Sequence, residues 1–326
     1  IASLRKRGFF VVLISSGAVG AGKGLTKITN DDEVIARQVY ASVGQLPLIQ
    51  AYQTAFGKNG YTLGQVLVTK SDFRDRHHYL NMKRCFTGLL EEGIIPIVNE
   101  NDVVSVTELM FTDNDELAGL VATMIDAKKV FLLTSEDGLY NRNPEDENAK
   151  IISEVKEGSS EWKFGISSAT SQFGRGGMAT KCGVAEKLQV LGTTTYICNG
   201  RTKNIVQNIL DGKSLGTTFP GTKKKTANIK KRLAHATGQE KGKVFLNDCA
   251  TDLFRDKEKT LSVLPVGITK IEGEFEKGDI VTLVGIDKKT LGVGIAQYSN
   301  EVAKKYIGKK GKRPIIHYNY LYLGSI

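Results

Sequence analysis

The sequence predicts an α/β chain: a three-layer αβα sandwich around a mainly parallel sheet, followed by a small C-terminal β-barrel. Apolar runs of strand length alternate with helical periodicity through the first 220 residues, which implies parallel strands with helices on both faces. Five of these runs end in polar or glycine-rich clusters. They are Phe10–Ile14 before Ser15-Ser16-Gly17, Leu63–Val68 before Thr69-Lys70-Ser71-Asp72, and Ile94–Val98 before Asn99-Glu100-Asn101-Asp102. The other two are Val130–Leu133 before Thr134-Ser135-Glu136-Asp137-Gly138 and Thr195–Cys198 before Asn199-Gly200. Carboxyl ends of parallel strands line one crevice, so this shared address predicts a small-molecule site. Past residue 242 the runs become short and β-branched, which predicts the barrel.

The elements follow in order. A helix end, Ile1 to Gly8, feeds a strand over 9–14. A unit of this kind usually places another strand before that helix. A long helix is expected over 33–57, where Val34, Ile35, Val39, Leu46, Ile49 and Tyr52 recur at three- and four-residue spacings. Strand 62–68 precedes a helix opened by Ser71 or Asp72 and closed near Gly93. After strand 94–98, Asp113 with Glu116 three residues on announces a helix through the apolar run Leu117 to Ile125. Strand 129–133 leads into a polar connection, to about residue 175, too long for an ordinary loop and read as flexible or a lid. A helix over 176–191, a strand over 194–198 and a short helix over 203–211 complete the unit.

The domain boundaries drawn from this pattern are 1–221, a basic linker 222–242, and 243–326. The strands expected in the last are Lys243–Leu246, Ile268–Ile271, Asp279–Val284, Thr290–Ala296 and Ile315–Tyr318, with one or two helices.

Composition narrows the function classes. No apolar run approaches the roughly 20 residues that span a bilayer, so a non-membrane protein is expected, and the scattered cysteines fit a reducing cytoplasm. The four cysteines and four histidines are scattered, with no C-x-x-C pair, so neither a disulfide framework nor a zinc site is expected. The net charge of +10 is confined to one end: residues 1–221 hold 24 Lys and Arg against 24 Asp and Glu, and residues 222–326 hold 21 against 11. That asymmetry points to a polyanionic partner or to a solvated lysine-rich surface.

Four motifs carry chemistry. Gly17-Ala18-Val19-Gly20-Ala21-Gly22-Lys23-Gly24 nearly spells a P-loop but ends in Gly24, where a hydroxyl must ligate Mg²⁺. Its glycines suit close approach of backbone amides to an anion, or a tight turn into a helix. Asn99-Glu100-Asn101-Asp102 offers amides and carboxylates for the polar groups of a small amino acid or sugar. Asp113-Asn114-Asp115 exceeds what N-capping needs. Such groups hold Mg²⁺ or orient lysines in phosphoryl transfer. Gly174-Arg175-Gly176-Gly177-Met178-Ala179-Thr180-Lys181 brings a glycine-rich loop into a helix with a hydroxyl and a lysine in its first turn, which favours phosphate.

Taken together, Ser-Ser-Gly-Ala-Val-x-x-Gly, Asn-Glu-Asn-Asp, Asp-Asn-Asp, Leu-Leu-Thr-x-x-x-Gly-Leu-Tyr and Gly-Gly-Met-x-Thr-Lys resemble the amino acid kinase family, and within it the branch that phosphorylates glutamate. The match runs from about Gly8 to Phe219, with Tyr52 to Phe56 and Leu80-Asn81 fitting too, and the C-terminal part resembles a PUA domain. The resemblance implies transfer of the γ-phosphoryl group of ATP, with Mg²⁺, to the γ-carboxylate of L-glutamate, the first step toward proline. It also implies proline as feedback inhibitor and a homo-oligomer, dimer or tetramer. By the same resemblance Ser16, Asp102 and Asn114 bind glutamate. Asp115 organises catalytic lysines and Lys181 stabilises the transition state. Thr134, Ser135, Arg175, Gly176, Gly177, Met178, Ala179, Thr180 and Lys181 contact ATP. No metal ligand is assigned.

Two departures from the family pattern are visible. Ser135 stands where an acidic residue is usual, so weaker nucleotide contacts are expected there. The family's first strand carries Lys-x-Gly-[ST]-[ST], whose lysine contacts the phosphates. A protein without that segment is expected to be a much slower catalyst. Two alternatives stay open: an RNA-binding or regulatory protein with a degenerate kinase body, and a kinase of another acceptor such as aspartate, N-acetylglutamate or a nucleotide.

Overall fold

The computed structural model describes residues 1–29, 31–104, 111, 113–159, 162, 177–222, 233, 240–255 and 261–324. The chain divides into two compact units, Ile1–Lys223 and Lys224–Ile326.

In the first unit, α1 (Ala2–Lys6) precedes β1 (Leu13–Ile14), α2 (Ala18–Leu25) and α3 (Glu33–Gly57). Next come β2 (Leu63–Val68), α4 (Lys70–Arg74), α5 (Arg76–Glu91), β3 (Ile95–Glu100) and α6 (Asn114–Met124). The unit closes with β4 (Lys129–Thr134), α7 (Met178–Val190), β5 (Thr194–Asn199), α8 (Ile205–Leu210) and β6 (Thr217–Phe219). Strands β1, β3 and β2 form one three-stranded parallel sheet with β3 in the middle. Strands β4, β5 and β6 form another, in which only β6 runs antiparallel. The expected parallel sheet is therefore described as two halves.

Helices cover both faces of each half, as the three-layer reading requires. All six residues of β3 are buried, because it is covered on both sides. Its Ile95 and Ile97 pack with Phe56, Ile49 and Tyr52 of α3. On the opposite face Val98 packs with Phe86 of α5 and Leu117, Val121 and Met124 of α6. In the second half, Leu132 and Ile197 meet Cys182, Ala185 and Leu188 of α7, while Cys198 meets Ile205 and Ile209 of α8. Each such large apolar side chain contributes about 1.5–3 kcal/mol by burial.

Local rules set most boundaries. Helix α3 starts where Asp32 accepts from Val34 N and Ile35 N at 2.8 and 3.1 Å. The helix expected over 71–93 is broken at Asp75, which is extended (φ −73°, ψ 128°) and caps α5 by accepting from His78 N at 2.8 Å. Strand 9–14 shrinks to Leu13–Ile14, the two residues in register with Ile97 and Val98, while Phe10 is 66% exposed. The polar connection after β4 is partly ordered. Tyr140 and Ile151 form an antiparallel bridge, and Val155 N donates to Thr218 O of β6 at 2.9 Å. Residues 163–176 lie outside the described residues.

The second unit holds β7 (Gly242–Leu246), α9 (Asp248–Arg255), β8 (Ile268–Gly273), β9 (Ile280–Val284), β10 (Thr290–Ala296), α10 (Asn300–Tyr306) and β11 (Ile316–Leu323). Its strands form one sheet in the order β11-β10-β9-β7-β8, with β7 and β9 parallel and the other pairs antiparallel. Among the described residues β8 and β11 do not pair with each other, so the expected barrel is an open, five-stranded sheet, with one antiparallel bridge from Val263 to Ile316 of β11. One face buries Val244, Leu283 and Ile316 with Phe254 of α9 and Ala303 of α10.

Among the described residues no helix is long and apolar enough to cross a membrane. All four cysteines are free: Cys85 and Cys249 are exposed, Cys182 and Cys198 buried. Burial pushes the Cys182 thiol up to about 12 and the Cys198 thiol up to about 11.

Candidate functional site

The site gathers at the carboxyl ends of β1 and β3 and the first turns of α6 and α7. Ser16 follows β1, and Gly17 (φ 106°) turns the chain into α2 in a conformation that side chains rarely adopt. The near-P-loop glycines serve this helix. A Cβ on Gly22 would lie 1.9 Å from Tyr40 O of α3, and one on Gly44 of α3 would lie 1.8 Å from Ala18 O. The structure shows the turn into a helix, and Gly22 permits close helix packing besides.

Asn114, the first residue of α6, joins three segments. Its Nδ2 donates to Ser15 O, to Ser16 Oγ at 2.7 Å and to Asn99 Oδ1 at 3.4 Å. Ser15 Oγ in turn shares a hydrogen bond with Tyr52 OH at 2.9 Å. Ser16 and Asn114, distant in sequence, are thus direct neighbours.

Asp115, next on α6, meets Lys181 in the first turn of α7 at 2.7 Å. Both are mostly buried (15% and 13% exposed), where water screens the pair little. Asp113 is the cap before them: one oxygen accepts from Glu116 N at 2.9 Å, and Oδ2 is buried with no hydrogen-bond partner. Burial raises the Asp113 carboxyl above its usual range, and the nearby Asp115 charge adds to this. The Glu116 amide and Lys181 oppose it. Glu116 binds Lys70 of α4 at 2.7 Å. Lys187 of α7 is lowered from the usual lysine range by burial, against the pull of Glu116.

Asp102, just past β3, is buried, and its Oδ1 accepts from Arg37 Nε at 2.9 Å and Arg37 Nη2 at 2.7 Å. Arg37 Nη2 also lies 3.6 Å from Glu100 Oε2, and Glu100 Oε1 accepts from Phe111 N at 3.0 Å. Neither Arg37 nor Tyr52 is among the residues predicted for the site. A lone arginine on a long helix reads as solvated, and its partner lies 65 positions away.

Thr134 ends β4 and Ser135 follows it. Thr134 O accepts from Gly200 N of the neighbouring strand end at 2.9 Å, and Thr134 Oγ1 accepts from Glu136 N at 3.5 Å. Ser135 Oγ donates to Glu136 Oε1 at 3.4 Å, so a carboxylate stands beside the position where the family pattern expects one. Asn199 Nδ2 donates to Asp137 Oδ1 at 2.8 Å. Gly177, Met178, Ala179, Thr180 and Lys181 form the cap and first turn of α7; Arg175 and Gly176 lie outside the described residues. Within that turn Thr180 N and Lys181 N donate to Gly177 O at 3.1 and 3.3 Å, and the helix start is the positive end of its dipole. Among the described residues no group of three or more His, Cys, Asp or Glu is placed to hold a metal ion.

Residues 1–199 match the model of the amino acid kinase family, and residues 242–318 match that of the PUA domain. The chain is 46% identical to a glutamate 5-kinase of Chlorobaculum tepidum over 324 residues, covering 99% of this chain and 89% of the relative. It is 45% identical to one of Bacteroides thetaiotaomicron, covering 99% and 90%. A third, from Syntrophus aciditrophicus, is 37% identical over 96% of this chain and 81% of its own.

Proposed function

The chain belongs to the amino acid kinase family, and from that premise we propose that it is a glutamate 5-kinase. It transfers the γ-phosphoryl group of ATP to the γ-carboxylate of L-glutamate, giving glutamyl 5-phosphate and ADP, the first step of proline biosynthesis. The observation that carries this reading is the adjacency of two pairs, Ser16 with Asn114 and Asp115 with Lys181, on consecutive residues of one helix start.

A glutamate side-chain carboxylate is ionised at neutral pH, so it needs no general base. One of its oxygens attacks the γ-phosphorus in line. The bond from that phosphorus to the β,γ-bridging oxygen breaks, and its electron pair leaves with ADP. Catalysis is then positioning plus neutralisation of charge on the transferred group. Ser16, Asn114 and Asp102 hold the acceptor. Asp115 orients Lys181 toward the phosphoryl oxygens, and the first-turn amides of α7 with Thr134 and Ser135 hold the nucleotide. Mg²⁺ enters as part of the MgATP co-substrate, because ATP phosphates and water supply the oxygen ligands it prefers. Feedback inhibition by proline and a homo-oligomeric state belong to the same proposal.

ADP release by the full chain should be measured with glutamate, aspartate, N-acetylglutamate and UMP as acceptors. Glutamate alone is expected to support it, and Lys181→Met is expected to lower kcat by about 10²–10³-fold. Release with another acceptor but not with glutamate would overturn the assignment.

A further inference from the structure

We propose that Arg37 is the positioning residue that sets the glutamate pocket to accept one ammonium group, acting through Asp102; the inference rests on the glutamate reading above.

Glu100 and Asp102 are 4% and 7% exposed and two residues apart in the chain at the end of β3. Two carboxylates buried this close repel each other, and a cation placed between them relieves that repulsion. Arg37 is that cation. Its guanidinium contacts both groups, Asp102 at 2.7 Å and Glu100 at 3.6 Å.

The geometry also selects which oxygen faces the ligand. Both Arg37 nitrogens bond the same atom, Asp102 Oδ1. That fixes the rotamer and leaves Oδ2 for an ammonium donor. The neighbouring Gln38 donates from Nε2 to Val103 O at 2.8 Å, so helix α3 grips the strand end on both sides of Asp102. Glu100 extends the link, because its other oxygen accepts from Phe111 N, two residues before the Asp113–Asp115 cluster. A lysine at position 37 would keep the charge but could not place two donors at fixed angles on one oxygen.

Steady-state kinetics on the full chain test this, using the wild type, Arg37→Met, Arg37→Lys, Asp102→Asn and the Arg37→Met/Asp102→Asn double variant. Arg37→Met is expected to raise the KM for glutamate about tenfold, with kcat and the KM for ATP within about twofold of wild type. Arg37→Lys should fall between the two. On the Asp102→Asn background, Arg37→Met should add less than about twofold, because the group it orients is already gone. A glutamate KM unchanged in Arg37→Met, or raised by the same factor with Asp102→Asn present, would overturn the inference. If Arg37→Met does not fold, Arg37→Lys decides: a severalfold rise in glutamate KM supports the role and an unchanged value ends it. A wild type without glutamate-dependent ADP release defeats the function assignment and this inference together, whereas an active wild type with an indifferent Arg37→Met defeats this inference alone.

Discussion

At Asp113 the fold holds a carboxylate where water would hold it better. Its Oδ2 is buried without a partner, and burial lifts its folded-state pKa above the ordinary value. Folding therefore disfavours the charged form. The resulting loss of stability is absent below the unfolded pKa, grows as pH rises toward the raised value, and is complete above it. Asp113→Asn keeps an oxygen to accept from Glu116 N while removing the charge. Its melting temperature should exceed that of the parent at about pH 7, and the gain should shrink toward about pH 4.5. Paired melting curves at the two pH values check this; a gain of equal size at both would show that charge is not the cause. The other site residues differ in how readable they were. Ser16, Asn114, Asp115 and Lys181 stand at strand ends or helix starts, where polar groups in excess of capping needs announce a site. Arg37 stands mid-surface on a helix, and only the tertiary contact with Asp102 gives it meaning.

Helix α3 was legible almost to the residue in extent, but not in its faces: Ile35, Val39 and Leu46, read as part of its apolar stripe, are 42%, 40% and 78% exposed, and Ala41, Gly44 and Phe56 are the buried positions. Its contact with α2 was not legible, since glycines before a helix can signal either a phosphate cradle or close packing. The structure shows the packing. At Gly44 an added methyl meets Ala18 O at 1.8 Å and Gly22 N at 2.5 Å, both backbone atoms that side-chain movement cannot relieve. Gly44→Ala should destabilise the protein by about 1–3 kcal/mol. Because α2 begins beside Ser16, the variant should also raise the glutamate KM. Gly20→Ala, where nothing lies within 4 Å, is the control and should be neutral or slightly stabilising. Thermal melts of both variants check the pair, and equal effects would refute the packing argument. Two other elements escaped the sequence reading for identifiable reasons. Asp75 broke the helix after β2 because its side chain caps the next one. Strand β6 is three residues long, and its place is fixed by pairing with β5 and by the Val155 bond.

At the scale of the whole chain, charge is distributed by unit: the excess of ten positive charges lies within residues 222–326. Some of these charges stand well out in water, Lys241 and Lys270 being 62% and 64% exposed. If that unit meets a polyanion, the full chain should retain RNA at about 50 mM salt and release it steeply by about 200 mM. No retention at low salt would leave the lysines as a solvated surface and remove the RNA-binding alternative. The alternation of strands and helices made the first unit's layers readable. The openness of the second unit's sheet was not readable, because closure depends on how edge strands curve, and short β-branched runs say little about that.

The cysteines lend the molecule a pair of natural handles. Alkylating reagents attack the thiolate, and Cys182 and Cys198 are both buried and held in the protonated form at neutral pH. Cys85 and Cys249 remain open to solvent, one in each compact unit. A maleimide dye pair would accordingly report the separation of the two units in solution, with no engineered attachment point.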